Sequence, residues 1–409
     1  MSGSPTKSPN GPLSGIRIVD LTQNLSGPMA TIILGDQGAD VIKIEPPGIG
    51  DFTRAMGGTK RGVAPAFAVI NRNKRSVALN LRDPRGLELL KRMVARADLF
   101  VQNHRPGVAE RMGIGEAALR AVKPDLVYVS ISGFGESGPY ADQRVYDPVI
   151  QAISGLAAIQ ADVETGRPHM IRLIIPDKVT ALTAAQAMTA ALLARQRTGE
   201  GQHVRLAMLD AVIAFLWPEG MAAYTFVGNN RSSIRAAKAR ELAAKARELI
   251  FETTDGYITA AANTDSEWQE MCRALERPQW LSDERFKTPV DRIRNADVRL
   301  EMTAEMLKTK SSAAWLERLR ANQVPSAPVL SREEMLHNAQ VVANQIIVES
   351  EHPHAGPMRQ PRPATRFERT PAALSRFAPL LGEHTDEVLA EAGVGSGELA
   401  ALRAQGVIA

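Results

Sequence analysis

Cysteine, aromatic residues and long apolar runs are all scarce in this chain, and each shortage removes a class of protein. One cysteine, Cys272, in 409 residues cannot close an intramolecular disulfide, which points to a reducing compartment, the cytoplasm. Seven scattered histidines set no Cys/His spacing of the kind that holds zinc, so no metal site is expected. Aromatic residues make up 5% of the chain, sparse for base stacking or an all-β sandwich. No apolar run reaches the roughly 18 residues of a membrane span. Met1 to Pro12 is rich in Ser, Pro and Gly where a signal peptide would be apolar, and reads as a disordered tail. An excess of charge of one sign is missing too: 49 Lys+Arg against 45 Asp+Glu leave +4, with no concentrated basic block. Neither nucleic acid nor membrane is therefore an expected partner.

What is present is a hydrophobic fraction of 44% over a length that, at about 150 residues per domain, predicts two or three domains. Short β-rich runs alternate with helical segments from Ile16 to about Ser132: Arg17 to Asp20, Val41 to Ile44, Val77 to Asn80, Leu99 to Gln102 and Val127 to Ile131. That alternation predicts an α/β fold with a parallel sheet covered by helices. Pro84 to Arg96 and Pro106 to Met112 read as helices with proline near the start, where its missing N–H costs nothing. Lys178 to Arg197 reads as a long helix rich in Ala, Leu and Met, closed by Thr198 to Gly201.

Beyond about Thr225 the texture changes. Glu248 to Ala261 reads as a hairpin around Asp255-Gly256, followed by a helix near Trp268 to Leu275, so a second, α+β domain is expected. Val324 to Pro328 reads as a linker. Ala236 to Leu242 and Ala243 to Leu249 repeat one another residue for residue, which lengthens one helix by about two turns.

Gly133 to Gly138 satisfies G-x-G-x-x-G directly after Leu126 to Ile131, where a dinucleotide fingerprint would stand. Pro139 follows at once, however, and Tyr140 to Tyr146 has no helical apolar period to set a helix dipole against a pyrophosphate. NAD or FAD is not expected there. The glycines read as a turn that permits close backbone approach.

Several stretches, in order, carry a resemblance to a known family: Leu13 to Leu21, Gly27-Pro28, Gly38 to Glu45, Asn71 to Ser76, Asn103 to Gly107, Ser132 to Gly135, Gly138 to Tyr140, Tyr146 to Pro148, Asp177 and Pro379 to Thr385. Together they resemble the class III CoA-transferases, which include the formyl-CoA:oxalate and carnitine CoA-transferases. The resemblance implies a Rossmann-like large domain over residues 13–224 and 331–409, a small domain over 225–330, and an interlocked homodimer.

It also implies a chemistry. Asp177 matches the family's nucleophilic aspartate, set before a long Ala-rich helix; a carboxylate attacks the thioester, forming a mixed anhydride and then an aspartyl-CoA thioester. From the residues alone, an Asp before a helix is also a good N-cap, and both roles are compatible. CoA enters as a substrate moiety, with no tightly bound cofactor implied, and its partner substrate would be a small carboxylic or dicarboxylic acid. The matching positions for CoA binding are Arg72, Lys74, Arg75, Asn103, His104, Arg111 and Arg144, the cations suiting its phosphates. Arg144 or Arg172 is a candidate partner for a second substrate carboxylate.

The related α-methylacyl-CoA racemases, the alternative reading, carry a His-Asp pair where this chain has Tyr146-Asp147. A neutral phenol with an unperturbed pKa near 10 accepts a proton poorly at neutral pH, which disfavours racemisation; Asp147 matches an acidic residue of the transferases. Leu25 stands where oxalate-type members have glutamine, and their glycine-rich lid is not found between Gly228 and Asn263. Both departures argue against formyl-CoA and oxalate as substrates.

Overall fold

The structure, a computed structural model, describes residues 11–162, 165–218, 220–227 and 249–409. Six strands, β1 (Arg17–Leu21), β2 (Asp40–Glu45), β3 (Lys74–Ala78), β4 (Leu99–Gln102), β5 (Val127–Ser132) and β6 (His203–Ala207), form one parallel sheet. Their order is β3-β2-β1-β4-β5-β6. Residues alternate between the faces as the strand period of two requires. Val19, Ile42, Val77, Phe100 and Tyr128 enter one core, and Ile18, Val41, Leu99, Val101 and Val129 enter the other.

Both faces are covered, as a parallel sheet demands. The second core is closed by helices α1 (Ser26–Asp36) and α4 (Ile175–Thr198), which pack through small residues such as Ala30, Ala181 and Ala184. The first is closed by α2 (Pro84–Val94) and by C-terminal residues Val388, Leu389 and Leu402. Helix α2 begins as its sequence dictates: Pro84 leads, and the Asp83 carboxylate accepts the Arg85 N–H at 2.9 Å. Further on lie α3 (Asp147–Ile153) and α5 (Met208–Leu216).

The chain divides into two units. The larger runs to Ala161 and adds Arg167–Ala222 and Gln345–Ala409; the smaller is Ala223–Asn344 with Asp162–Gly166. The small unit carries an antiparallel sheet of β7 (Ile250–Glu252), β8 (Tyr257–Ala260) and β9 (Ser326–Pro328) on a core of Trp268, Trp280, Phe286 and Trp315. The larger unit's returning segment holds the hairpin β10 (Ile347–His352) and β11 (Gly356–Pro361).

Three expectations are revised. The Val324 to Pro328 segment is no linker: its last three residues are edge strand β9, paired with β8, where prolines are tolerated because the outer N–H positions need no partner. The chain consequently stays in the small unit past residue 331 and returns at Gln345. Strand β3 starts at Lys74, ahead of the expected Val77, because Lys74 and Arg75 are buried against carboxylates. Met1 to Asn10, and the seven-residue repeat apart from Leu249, lie outside the described residues.

Candidate active site

The sheet reverses direction of strand order between β1 and β4, the point at which open α/β sheets place ligands beyond their carboxyl ends. Asn103, just past β4, ties the two loops together there: its Oδ1 accepts the Gln23 N–H at 2.9 Å and its Nδ2 donates to the Gln23 carbonyl at 2.8 Å. Along β5 and β6, with the end of β4 at one margin, opens a cavity of about 890 Å³, lined by Gln102, His104, Ser130, Phe134, His203 and Ala207 among others. Of the residues singled out for catalysis or CoA, His104 alone lines it. Burial holds the His104 imidazole below the ordinary histidine value, so it is neutral at pH 7, and its Nε2 has no hydrogen-bond partner among the described residues. Gly133 permits the close approach expected of the glycine turn: a Cβ there would meet Val145 at 2.2 Å. No helix starts until α3 at Asp147, well past the G-x-G-x-x-G residues.

Asp177 and Asp147 come together. Helix α4 begins at Ile175 with Ile174 as its uncapped N-cap, so Asp177 lies in the first turn and is not the N-cap. The Asp177 backbone N–H donates to Asp147 Oδ2 at 3.3 Å. Asp147 opens α3, is 2% exposed, and accepts from Gln151 Nε2 at 2.7 Å through its other oxygen. Gln151 also accepts the Ile171 N–H at 2.9 Å and donates to the carbonyls of Ile171 and Leu173, fastening the segment that leads into α4. The half-buried Asp177 carboxyl is pushed up to about 6 by burial and by the negative charge of Asp147, while the hydroxyl and backbone N–H of Ser26 act in the opposite direction. Ser26 and Gln151 escaped the sequence reading. Gln151 stands four residues after Asp147 on one helix, a spacing that signals a side-chain hydrogen bond.

The cations divide into two groups. Arg72 forks onto Asp36 at 2.7 and 3.0 Å; Lys74 donates to Asp20 at 3.1 Å and to the Pro28 carbonyl at 3.0 Å; Arg75 meets Asp40 at 2.6 Å and Glu391 at 2.7 Å. All three are at most 6% exposed. Their charges are met by carboxylates of the same large unit. Arg111 and Arg144 are exposed and make no ion pair among the described residues; the Arg111 guanidinium lies over Gly107, where a Cβ would sit 2.9 Å from it. Cys272 belongs to the small unit's aromatic core, where burial pushes its thiol up to about 12, so it offers no thiolate nucleophile at neutral pH.

The sequence pattern of CoA-transferase family III matches residues 13–385. The chain belongs to that family. As a class III CoA-transferase it moves CoA from an acyl-CoA to a carboxylic acid. It is 33% identical over 381 residues to the human succinyl-CoA:glutarate CoA-transferase, covering 93% of this chain and 86% of that protein. It is also 33% identical over 413 residues to the formyl-CoA:oxalate CoA-transferase of Streptomyces avermitilis, covering 97% and 99%. A CaiB/BaiF family protein from Brucella suis superposes with a TM-score of 0.78 at 29% identity, over 94% of this chain and all of that one. These class III structures share the α/β architecture described above.

Proposed function

We propose that this class III CoA-transferase moves CoA from a dicarboxylic acyl-CoA, succinyl-CoA being the reference donor, to a dicarboxylate of about glutarate's length, with Asp177 as nucleophile. The observation that carries the reading is the Asp177 carboxylate itself: half-buried at the start of α4, pushed up to about 6, and braced by Asp147 through a backbone hydrogen bond. At pH 7 such a group is roughly nine-tenths ionised yet more basic than an ordinary carboxylate, which suits attack on a thioester. The names of the human relative and of the succinate–glutarate CoA-transferase of Agrobacterium fabrum favour the dicarboxylate class.

The chemistry balances without a cofactor. The Asp177 oxygen adds to the donor's thioester carbonyl and CoA leaves as thiolate, giving a mixed anhydride. The thiolate attacks the Asp177 carbonyl of that anhydride and releases the donor acid, leaving an aspartyl-CoA thioester. The acceptor carboxylate then displaces the thiolate, which returns to the acceptor's carbonyl and restores Asp177. Each step exchanges one acyl bond for another of similar energy. Asp147 acts as a positioning residue, Asn103 holds the loops around the switch point, and His104, Arg111 and Arg144 are the proposed CoA contacts, with Arg144 or Arg172 set against the second carboxylate.

Two further parts belong to this reading. A homodimer would cover Leu173, Leu182, Leu193, Phe215 and Trp217, which stand 41 to 59% exposed along residues 173–217, and light scattering should return twice the 44.3 kDa chain mass. A cytoplasmic location suits a protein whose one cysteine is a buried free thiol. The test of the catalytic assignment is to mix enzyme with succinyl-CoA and digest it: a CoA adduct on the Asp177 peptide is expected, and an adduct elsewhere, or full turnover by Asp177→Asn, overturns it.

A further inference from the structure

The small unit has a cavity of about 40 Å³, apolar where Leu249, Phe251, Met271 and Leu300 line it and polar at Trp268 and Arg299. Two helices bring the polar pair together: α6 (Asp265–Ala274) carries Trp268 and α7 (Ala296–Leu307) carries Arg299. Trp268 is 2% exposed, stacked on Trp280 at 6.2 Å between ring centres and in T-shaped contact with Phe286 at 5.6 Å, so packing fixes its indole. Its Nε1 and the Nε of Arg299 are both buried and have no hydrogen-bond partner among the described residues. The Arg299 guanidinium carbon lies 5.8 Å from the Trp268 ring centre, at the outer limit of a cation–π contact, which engages none of its N–H groups. The nearby carboxylates are committed elsewhere. Asp265 pairs with Arg292, and Glu267 closes the capping box at the start of α6, accepting the Thr264 N–H at 2.9 Å. Burial and the charge of Arg292 both work against the Arg299 cation, and no carboxylate among the described residues offsets them.

We propose that this cavity is a binding site for one small monovalent anion, chloride or a carboxylate the size of formate, held by the Arg299 guanidinium and the Trp268 indole N–H. Both groups are donors with no acceptor atom, so the ligand must be an acceptor. Water can accept from them but brings no charge, whereas an anion satisfies the N–H groups and the uncompensated guanidinium together. The space sets the size: about 40 Å³ is roughly three times what one water needs, which admits a halide or a one-carbon carboxylate and leaves out glutarate. The charge sets the valence. One unpaired cation within apolar walls matches one negative charge, and a divalent anion would leave a second charge buried without a partner. Binding there does not depend on Asp177 as nucleophile.

The experiment uses the full-length protein exchanged into sodium gluconate, whose anion is too large for the cavity, with sodium chloride or sodium formate added at constant ionic strength. Three of the four tryptophans, Trp268, Trp280 and Trp315, lie in the small unit's core, so thermal unfolding is followed by tryptophan fluorescence. An anion that binds the folded state alone raises the midpoint, and a saturable rise of about 3–6 °C is expected. A rise with chloride only identifies a halide site, a rise with formate only a carboxylate site, and a rise with both a site that takes either; each supports the proposal. Arg299→Met, which keeps the apolar stem and removes the charge, should show no rise with either anion. Trp268→Phe, which keeps a ring and removes the N–H, should weaken binding of the same anion about fivefold. No saturable rise in the parent protein, the result expected if water alone meets Arg299, overturns the proposal. An equal rise in Arg299→Met overturns it as well, and where that variant does not fold, so does an unchanged affinity in Trp268→Phe.

Discussion

Around β1, β2 and β3 the large unit buries Asp20, Lys43, Glu45, Asp51 and Lys74 at no more than 1% exposure, whereas along β5 and β6 charged groups such as Glu110, Arg105 and Arg205 line an open cavity. The first set is internally matched. Lys43 meets Asp51 at 2.8 Å, Lys74 meets Asp20 at 3.1 Å and Arg54 meets Glu45 at 2.7 Å. Burial acts to raise the Asp20 carboxyl, but Lys74, Lys43 and the hydroxyls of Thr22 and Thr31 outweigh it and hold the group down at about 2. The two sides of one sheet teach that the density of charge in a sequence says little about where ligand is bound. In this fold the cations of the run Arg72 to Arg75 are paired with carboxylates, whereas Arg111 and Arg144 are exposed and make no ion pair among the described residues.

The largest effect should fall on Asp177, which belongs to neither set. Asp177→Asn is expected to lower turnover on the order of 10⁴-fold, read by transfer of CoA from succinyl-CoA to glutarate. The same substitution should make the protein more stable at pH 7. The folded carboxyl titrates near 6 and the unfolded one near its reference value of 3.8, so the folded state binds the proton more tightly and loses stability as pH rises between those values. Removing the charge recovers roughly 1 kcal/mol once partial solvent exposure is discounted, measurable as a higher midpoint in urea.

On the matched side the expected cost is in stability. Lys74→Met leaves Asp20 buried with fewer partners and should destabilise the fold by about 3–5 kcal/mol, while the KM for acyl-CoA in whatever protein folds stays within about twofold. A KM that rises tenfold with little loss of stability would place Lys74 on CoA and break the contrast between the two sides. Arg111→Ala and Arg144→Ala should do the reverse. Each removes a charged donor from an exposed loop, so KM for the acyl-CoA should rise about tenfold, some 1.4 kcal/mol, with the urea midpoint unchanged.

The same contrast explains which parts of the molecule could be read in advance. β4 runs from Leu99 to Gln102 as the apolar run predicts, because both faces of a central parallel strand are apolar and the pattern is local. β3 could not be bounded that way, since Lys74 and Arg75 resemble surface residues until Asp20, Asp40 and Glu391, distant in sequence, are brought against them. β9 hid for a related reason: Pro325 and Pro328 signal a break locally, and only pairing with β8 shows an edge strand. At the site, the place of Asp177 at the start of a long helix was legible in the sequence. Its hydrogen bond to Asp147 was not, because it joins residues 30 positions apart that no local pattern brings together.

The smallest effect concerns the pair of carboxylates and is the finest probe of the nucleophile's surroundings. Asp147→Asn removes the negative charge that helps raise Asp177, so the acid limb of kcat should move down in pH by about half a unit, and activity should persist further into acid. The amide keeps an oxygen for one of the two bonds Asp147 now accepts, from Gln151 at 2.7 Å and from the Asp177 N–H at 3.3 Å, and must give up the other. Stability should therefore fall by about 1 kcal/mol even as the titration improves for the ionised form. If the acid limb instead moves up, Asp147 acts on Asp177 chiefly through the backbone it holds and only weakly through its charge, because losing the bond to the Asp177 N–H would displace the first turn of α4 and change what surrounds the carboxyl.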